Sequence, residues 1–232
     1  MTFANDRLKM LSALGVTLLV LAFVPGSLLK TLVLLGAWGV FFWPLRRKEA
    51  ILFVAMSLLF VVMNYGALDR GVFFFTDPDF LLMPAFEFVM WGFYVLWLLR
   101  TVQPGVPAGS IRVPLALAVV FSLPFMLVPD HVLLLVLSGA VVLVGLILFH
   151  ERDDLVCAGV MALLGAAIEY VGTGVGLWGY SNPPAGGVPF WFVTMWSGIG
   201  LLARRLVLPI MERGWKGAYA GIRFTPTGAG HD

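Results

Sequence analysis

Charge is scarce in this chain. Of its 232 residues only 12% are Asp, Glu, Lys or Arg, about half the share of a soluble domain, and mean hydropathy is +0.97. That excludes an ordinary soluble domain, and no polar stretch is long enough to form a separate one. Cysteine is reduced to Cys157, which excludes an intramolecular disulfide and a cysteine metal cluster. The only histidines are His131, His150 and His231. These are too few for a histidine-rich di-iron membrane oxidase and poorly suited to a bis-His haem, so no metal or cofactor is expected. Net charge is +2 and gives no reason to expect nucleic acid. The Gly-rich run Gly172-Thr173-Gly174-Val175-Gly176 follows an apolar helix with no strand before it, so a dinucleotide loop fails its context test. Asp130 and His131 are adjacent in a turn and read as a bare surface turn, with no credible Ser/His/Asp set.

What is present is apolar length. About 20 apolar residues cross a bilayer, and eight such spans are predicted, at 8–25, 28–45, 50–68, 80–100, 113–129, 132–150, 155–174 and 188–209. The fold class is therefore an all-α integral membrane protein. Arg7 and Lys9 precede the first run, but no small-residue cleavage site follows, so it is read as a retained span. The segment TVQPGVPAGSI is linker-like. It divides the chain into a first four-helix unit (1–101), a linker (102–112), a second unit (113–210) and a polar tail (211–232). With the N-terminus inside, 13 of the 15 basic residues fall in inner segments and only Lys30 and Arg70 in outer ones. That asymmetry follows the positive-inside rule. Both termini are expected in the cytoplasm of a bacterial or archaeal cell.

The two units repeat. A shift of 105 residues, without a gap, places Tyr65 on Tyr170, Gly71 on Gly176, Pro78 on Pro183, Pro84 on Pro189, Met90 on Met195 and Trp91 on Trp196. Phe73 falls on Trp178 and Phe75 on Tyr180. Identities in one register, with aromatic facing aromatic, indicate a duplicated unit. Four spans per copy is an even number, so the copies share one orientation, related by a pseudo-two-fold along the membrane normal. The interface between them is the natural place for a ligand.

Polar residues within spans are costly, and so they are functional candidates by default. Glu169 sits near the outer end of span seven, and Asn64 is its counterpart in span three. Glu87 is expected about two turns into span four, roughly 10 Å deep at 1.5 Å per residue. Its counterpart is Phe192. Ala158, Ala162 and Ala166, flanked by Gly165 and Gly172, form a close-packing face that turns Glu169 inward. The plainer reading is that the acids are protonated, or pair with Arg70, and only tie helices together. Trp91 lies one turn after Glu87. The aromatics Trp178 and Tyr180 suit an interfacial belt, whereas Trp91 and Trp196 are deeper.

The repeated unit resembles the lycopene cyclase domain of integral-membrane carotenoid cyclases. That family's acid stands seven residues before a Gly-[Val/Ile/Leu]-Trp-x-aromatic loop, as Glu169 does before Gly176-Leu177-Trp178-Gly179-Tyr180. Arg70-Gly71-Val72-Phe73 echoes Arg-Gly-Val-Trp, and Pro84-Ala85-Phe86-Glu87 matches the family's Pro and second Glu. Phe86, Asn64 and the run Phe190-Trp191-Phe192 replace other family acids. The resemblance implies a cofactor-independent isoprenoid or carotenoid cyclase that protonates a C=C bond. Glu87 is then the acid, Glu169 its partner or base, and Asn64, Phe73, Trp91, Trp178, Tyr180 and Trp196 bind the substrate. A neutral carboxylic acid in an apolar site can deliver such a proton, and π faces can hold the resulting cation. The competing class is a non-enzymatic lipid- or isoprenoid-binding membrane protein, or a small subunit of a homo- or hetero-oligomeric complex. A proton-coupled transporter is a third reading, with few polar residues to line a path.

Overall fold

A computed structural model describes residues 3–184 and 186–212; the expected polar tail lies almost wholly outside the described residues. The elements in order are α1 (Phe3–Phe23), α2 (Ser27–Phe41), α3 (Arg47–Asp69), β1 (Phe73–Phe75), α4 (Glu87–Val102), α5 (Arg112–Leu127), α6 (His131–Leu148), α7 (Arg152–Gly174), β2 (Trp178–Tyr180) and α8 (Trp191–Leu202). The last helix continues through a π-helical turn, Ala203–Val207, to Glu212. This is an all-α membrane fold. Apolar residues such as Leu19, Leu28, Val119 and Val132 are exposed on the outer helix faces, as lipid contact requires.

Among the described residues, four helices are long and apolar enough to cross a bilayer by length and composition: Arg47–Asp69, His131–Leu148, Arg152–Gly174 and Trp191–Glu212. The expected spans two and five contract to helices of 15 and 16 residues, roughly 22–24 Å against a hydrocarbon core of about 30 Å. Span four also differs. The segment 80–86 is not helical, and α4 begins at Glu87 itself rather than two turns earlier. Leu81 and Leu82 adopt positive φ, Phe80 and Met83 form an isolated bridge, and Pro84 follows. The Asp79 carboxylate and the Ser27 hydroxyl both accept from the Ala85 amide, at 2.8 and 2.6 Å. Protein covers only the end of this segment: Met83 and Phe86 are buried, whereas Phe80, Leu81 and Leu82 are exposed.

Helix α4 is the centre of the molecule. Every residue from Met90 to Leu98 is buried. Its Trp97 indole donates to the Met10 carbonyl of α1 at 2.7 Å, and its Phe93 stacks on Trp38 of α2 at 4.4 Å. On the other side α7 and α8 pack most closely, because glycine removes the obstacle. A Cβ at Gly165 would lie 2.1 Å from Trp196, and one at Gly200 would lie 2.3 Å from the Cys157 carbonyl oxygen.

Residues 105 apart recur in matching roles. The N-cap amides of α3 and α7, Arg46 and Glu151, donate to the carboxylates of Glu49 and Asp154. The Arg100 guanidinium grips Glu49, and that of Arg205 grips Asp154. Strands β1 and β2 pair antiparallel with Phe73 opposite Tyr180, Phe74 opposite Gly179 and Phe75 opposite Trp178, so the centre of each strand faces its own counterpart. The Thr76 hydroxyl donates to the Gly176 carbonyl at 2.6 Å, and the Ser181 hydroxyl donates to the Gly71 carbonyl at 2.7 Å. Gly71 and Gly176 both turn at positive φ, +69° and +73°, which frees the chain to reverse from helix into strand.

Candidate functional site

The two-stranded ladder draws the end of α3 and the start of α4 against the end of α7 and the start of α8. Between them lies a partly open cavity of about 50 Å³, room for roughly three or four water molecules. All eight residues singled out from the sequence line it: Asn64, Phe73, Glu87, Trp91, Glu169, Trp178, Tyr180 and Trp196. Both acids are buried, Glu87 at 8% exposure and Glu169 at 6%.

Each acid is held by donors. Glu87 Oε1 accepts from Asn64 Nδ2 at 2.7 Å and from Trp91 Nε1 at 3.0 Å; the second bond closes over one helical turn. Glu169 Oε2 accepts from Trp178 Nε1 at 2.9 Å and from the Tyr180 hydroxyl at 2.6 Å, and its Oε1 from Trp196 Nε1 at 3.2 Å. Buried carboxylates demand such partners, since an unmet one costs several kcal/mol. Arg70 is exposed and does not line the cavity, so the alternative in which the acids pair with it is not what the structure shows.

The interfacial-belt reading of Trp178 and Tyr180 is also corrected. They are 8% and 6% exposed, because Gly172 leaves space for the Trp178 ring: a Cβ there would lie 1.9 Å from it. The turn at Asp130 and His131 is not bare. Asp130 caps α6 by accepting from the Leu133 amide at 2.8 Å. His131 Nδ1 accepts from Trp191 Nε1 at 2.9 Å, which leaves the ring proton on Nε2 to donate to the Ser181 carbonyl at 2.5 Å. Trp191 in turn meets Tyr180 edge-on at 5.6 Å.

Five lining residues escaped the sequence reading: Phe75, Tyr94, Ile168, Trp191 and Met195. Met195 and Phe75 were visible as repeat positions. Tyr94 lies seven residues after Glu87, hence on the same helix face, and that spacing could have found it.

No family model and no curated protein sequence matches the chain. Among solved structures it is similar to MvINS, a mycobacterial Insig homologue from Mycobacterium vanbaalenii: 16% identity, TM-score 0.59, covering 73% of this chain and 98% of that one. It is also similar to a cross-linked trimer of a variant of that protein, with 15% identity, TM-score 0.59 and the same coverage. The shared feature is the fold.

These findings overturn the cyclase expectation. The solved structures sharing the fold are Insig homologues rather than carotenoid cyclases, and the cavity lacks what cyclisation needs. Trp91 is sandwiched between Phe60 at 4.0 Å and Trp196 at 4.9 Å, while Gly165 packs against the Trp196 ring. Neither indole offers a free π face to a carbocation. Nor does the space admit a terpenoid end group, since sites for whole small molecules start near 300 Å³.

Proposed function

We propose that this chain is a non-enzymatic membrane protein that binds a lipid or isoprenoid amphiphile, with the head at Asn64, Glu87 and Glu169 and the tail along α3 and α8. One observation carries this reading: a second, almost wholly apolar cavity of about 80 Å³ lies across a pair of stacked rings from the first. It is lined by Met56 and Met63 of α3, Phe121 of α5, and Ile199 and Leu202 of α8. Its Phe60 is the ring stacked on Trp91 of the first cavity, so only this ring pair stands between a polar-ended and an apolar space, and an amphiphile spanning both would displace Phe60. Solvent extraction and mass spectrometry of the purified protein should recover one lipid class near equimolar amount. Ala118→Trp, which fills the second cavity, should remove most of it while the melting temperature shows that the protein is folded. Recovery of no amphiphile, or recovery unchanged in that variant, overturns the proposal.

In the same proposal the chain has eight membrane helices in two parallel four-helix units, 1–101 and 113–210, and resembles the lycopene cyclase domain in architecture alone. The strand ladder centred on Phe74 and Gly179 supports a two-fold relation along the membrane normal. The inner placement of 13 of 15 basic residues supports cytoplasmic termini in a bacterial or archaeal membrane. The cross-linked trimer of the similar protein supports a homo-oligomer. In a Cys157→Ala background, Asp77→Cys should react with an impermeant thiol reagent only from outside the cell, and Arg152→Cys only after the membrane is opened. The reverse pattern, or labelling of both from one side, overturns the topology.

A further inference from the structure

We propose that the polar end of this site binds a protonated primary amine carried on an apolar chain; the assignment rests on the amphiphile-binding reading above and specifies the head group. The two acids have acceptor positions to spare. A carboxylate oxygen offers two lone-pair positions. Glu87 Oε1 fills both, with Asn64 and Trp91, and Glu169 Oε2 fills both, with Trp178 and Tyr180. Glu169 Oε1 takes one bond, from Trp196, and Glu87 Oε2 takes none among the described residues. Three acceptor positions stay open on two acids that are each more than nine-tenths buried and line one cavity.

Among the described residues the cavity also lacks a cation: no Lys or Arg lines it. Lys30 is buried elsewhere, donating to the Leu21 and Val24 carbonyls at the end of α1. A buried acid without a positive partner is costly, and a bound cation offsets that cost.

A primary ammonium has three N–H donors, no acceptor and one positive charge, which matches the three open positions and the missing charge. A hydroxyl brings one donor. A carboxylate or phosphate brings acceptors and like charge, and no lining residue would neutralise it. A quaternary ammonium brings no donor and depends on ring faces, which are covered on Trp91 and Trp196. Space for three or four waters accepts an ammonium and a methylene or two. The rest of the chain would leave past Met195 and Met63, partly buried and readily repacked side chains, into the apolar cavity between α3 and α8.

The test uses the full chain in nanodiscs of zwitterionic lipid and reads the fluorescence of the indoles that contact the acids. The probes are dodecylamine, dodecanol, dodecyltrimethylammonium and methylammonium. At pH 7 dodecylamine should bind about tenfold more tightly than dodecanol or dodecyltrimethylammonium, the worth of one charged hydrogen bond. Glu87→Gln still accepts from Asn64 and Trp91, so it should remain folded by melting temperature, and it should lose the preference for the amine. Equal binding of dodecanol, or a preference surviving in Glu87→Gln, overturns the ammonium assignment and leaves the amphiphile reading standing. Methylammonium binding as tightly as dodecylamine would overturn the amphiphile reading and retain the ammonium. Binding of none of the four overturns both.

Discussion

Asp154→Ala is expected to lower unfolding stability by about 3–5 kcal/mol, the cost of leaving a buried charge without its partner. Asp154 is fully buried in the first turn of α7. It accepts from Arg204 Nη1 at 2.5 Å, from Arg205 Nε at 2.8 Å and from Arg205 Nη2. The arginines are 3% and 8% exposed, and after the substitution only two more exposed carboxylates face them, Glu151 with its side chain 54% exposed and Asp153, 40% exposed and 3.7 Å from Arg204. Glu49→Ala removes the corresponding carboxylate of the first half and should cost less, about 1–2 kcal/mol. Arg100 retains the Phe42 and Pro44 carbonyls, at 3.0 and 3.1 Å, and stands closer to water. Unfolding in matched micelles decides the matter: equal losses for the two variants would show that burial is not what sets the cost. The same cluster adds acid sensitivity. Hydrogen bonds from Arg204 and then Arg205 hold the Glu151 carboxyl below its ordinary range. Its contribution is therefore complete above the unfolded value, about pH 4.3, and is lost as pH falls further through the depressed folded value.

Glu169→Gln should destabilise by about 2 kcal/mol, whereas Glu87→Gln should change stability by well under 1 kcal/mol. The chemistry of the two replacements is the same and the partners differ. An amide has one accepting and one donating end. At position 169 both oxygens accept, so either orientation points the new N–H₂ at a donor, Trp196 in one and Trp178 with Tyr180 in the other. At position 87 the amide can turn its N–H₂ to the open side while Oε1 keeps Asn64 and Trp91. Thermal melting followed by near-ultraviolet circular dichroism checks both. Comparable shifts in the two variants would mean that the bonds at Glu169 are not the ones that hold the ladder to α7.

The acids were legible in the sequence because a carboxylate in an apolar run is costly enough to imply a site, and the 105-residue register located their aromatic partners. Other features were hidden for physical reasons. The start of α4 was obscured because the run from Phe80 to Phe86 is apolar throughout, and hydropathy does not register that Asp79 and Ser27 both accept from the Ala85 amide. Arg204 and Arg205 entered only as two of the 13 inner basic residues and Asp154 stood out in no way, since nothing local in sequence announces that charges 50 residues apart will be buried together. Trp178 and Tyr180 carry the composition of an interfacial belt; only the bare Cα of Gly172 lets the indole turn inward. The cyclase expectation failed for a similar reason. Motif spacing registers that Trp91 and Trp196 are near the acids, but not that their faces are already stacked.

The ladder between β1 and β2 also imposes a timetable. Phe75 leaves the ribosome 105 residues before Tyr180, which at about 5–20 residues per second is an interval of roughly 5–20 s. During that time the first strand has no partner, Glu87 has only Asn64 and Trp91 for company, and one wall of the cavity faces lipid or the insertion machinery. The second half therefore arrives as the template on which the first is completed, and an insertion factor that shields Phe73–Phe75 would be most needed before α7 emerges.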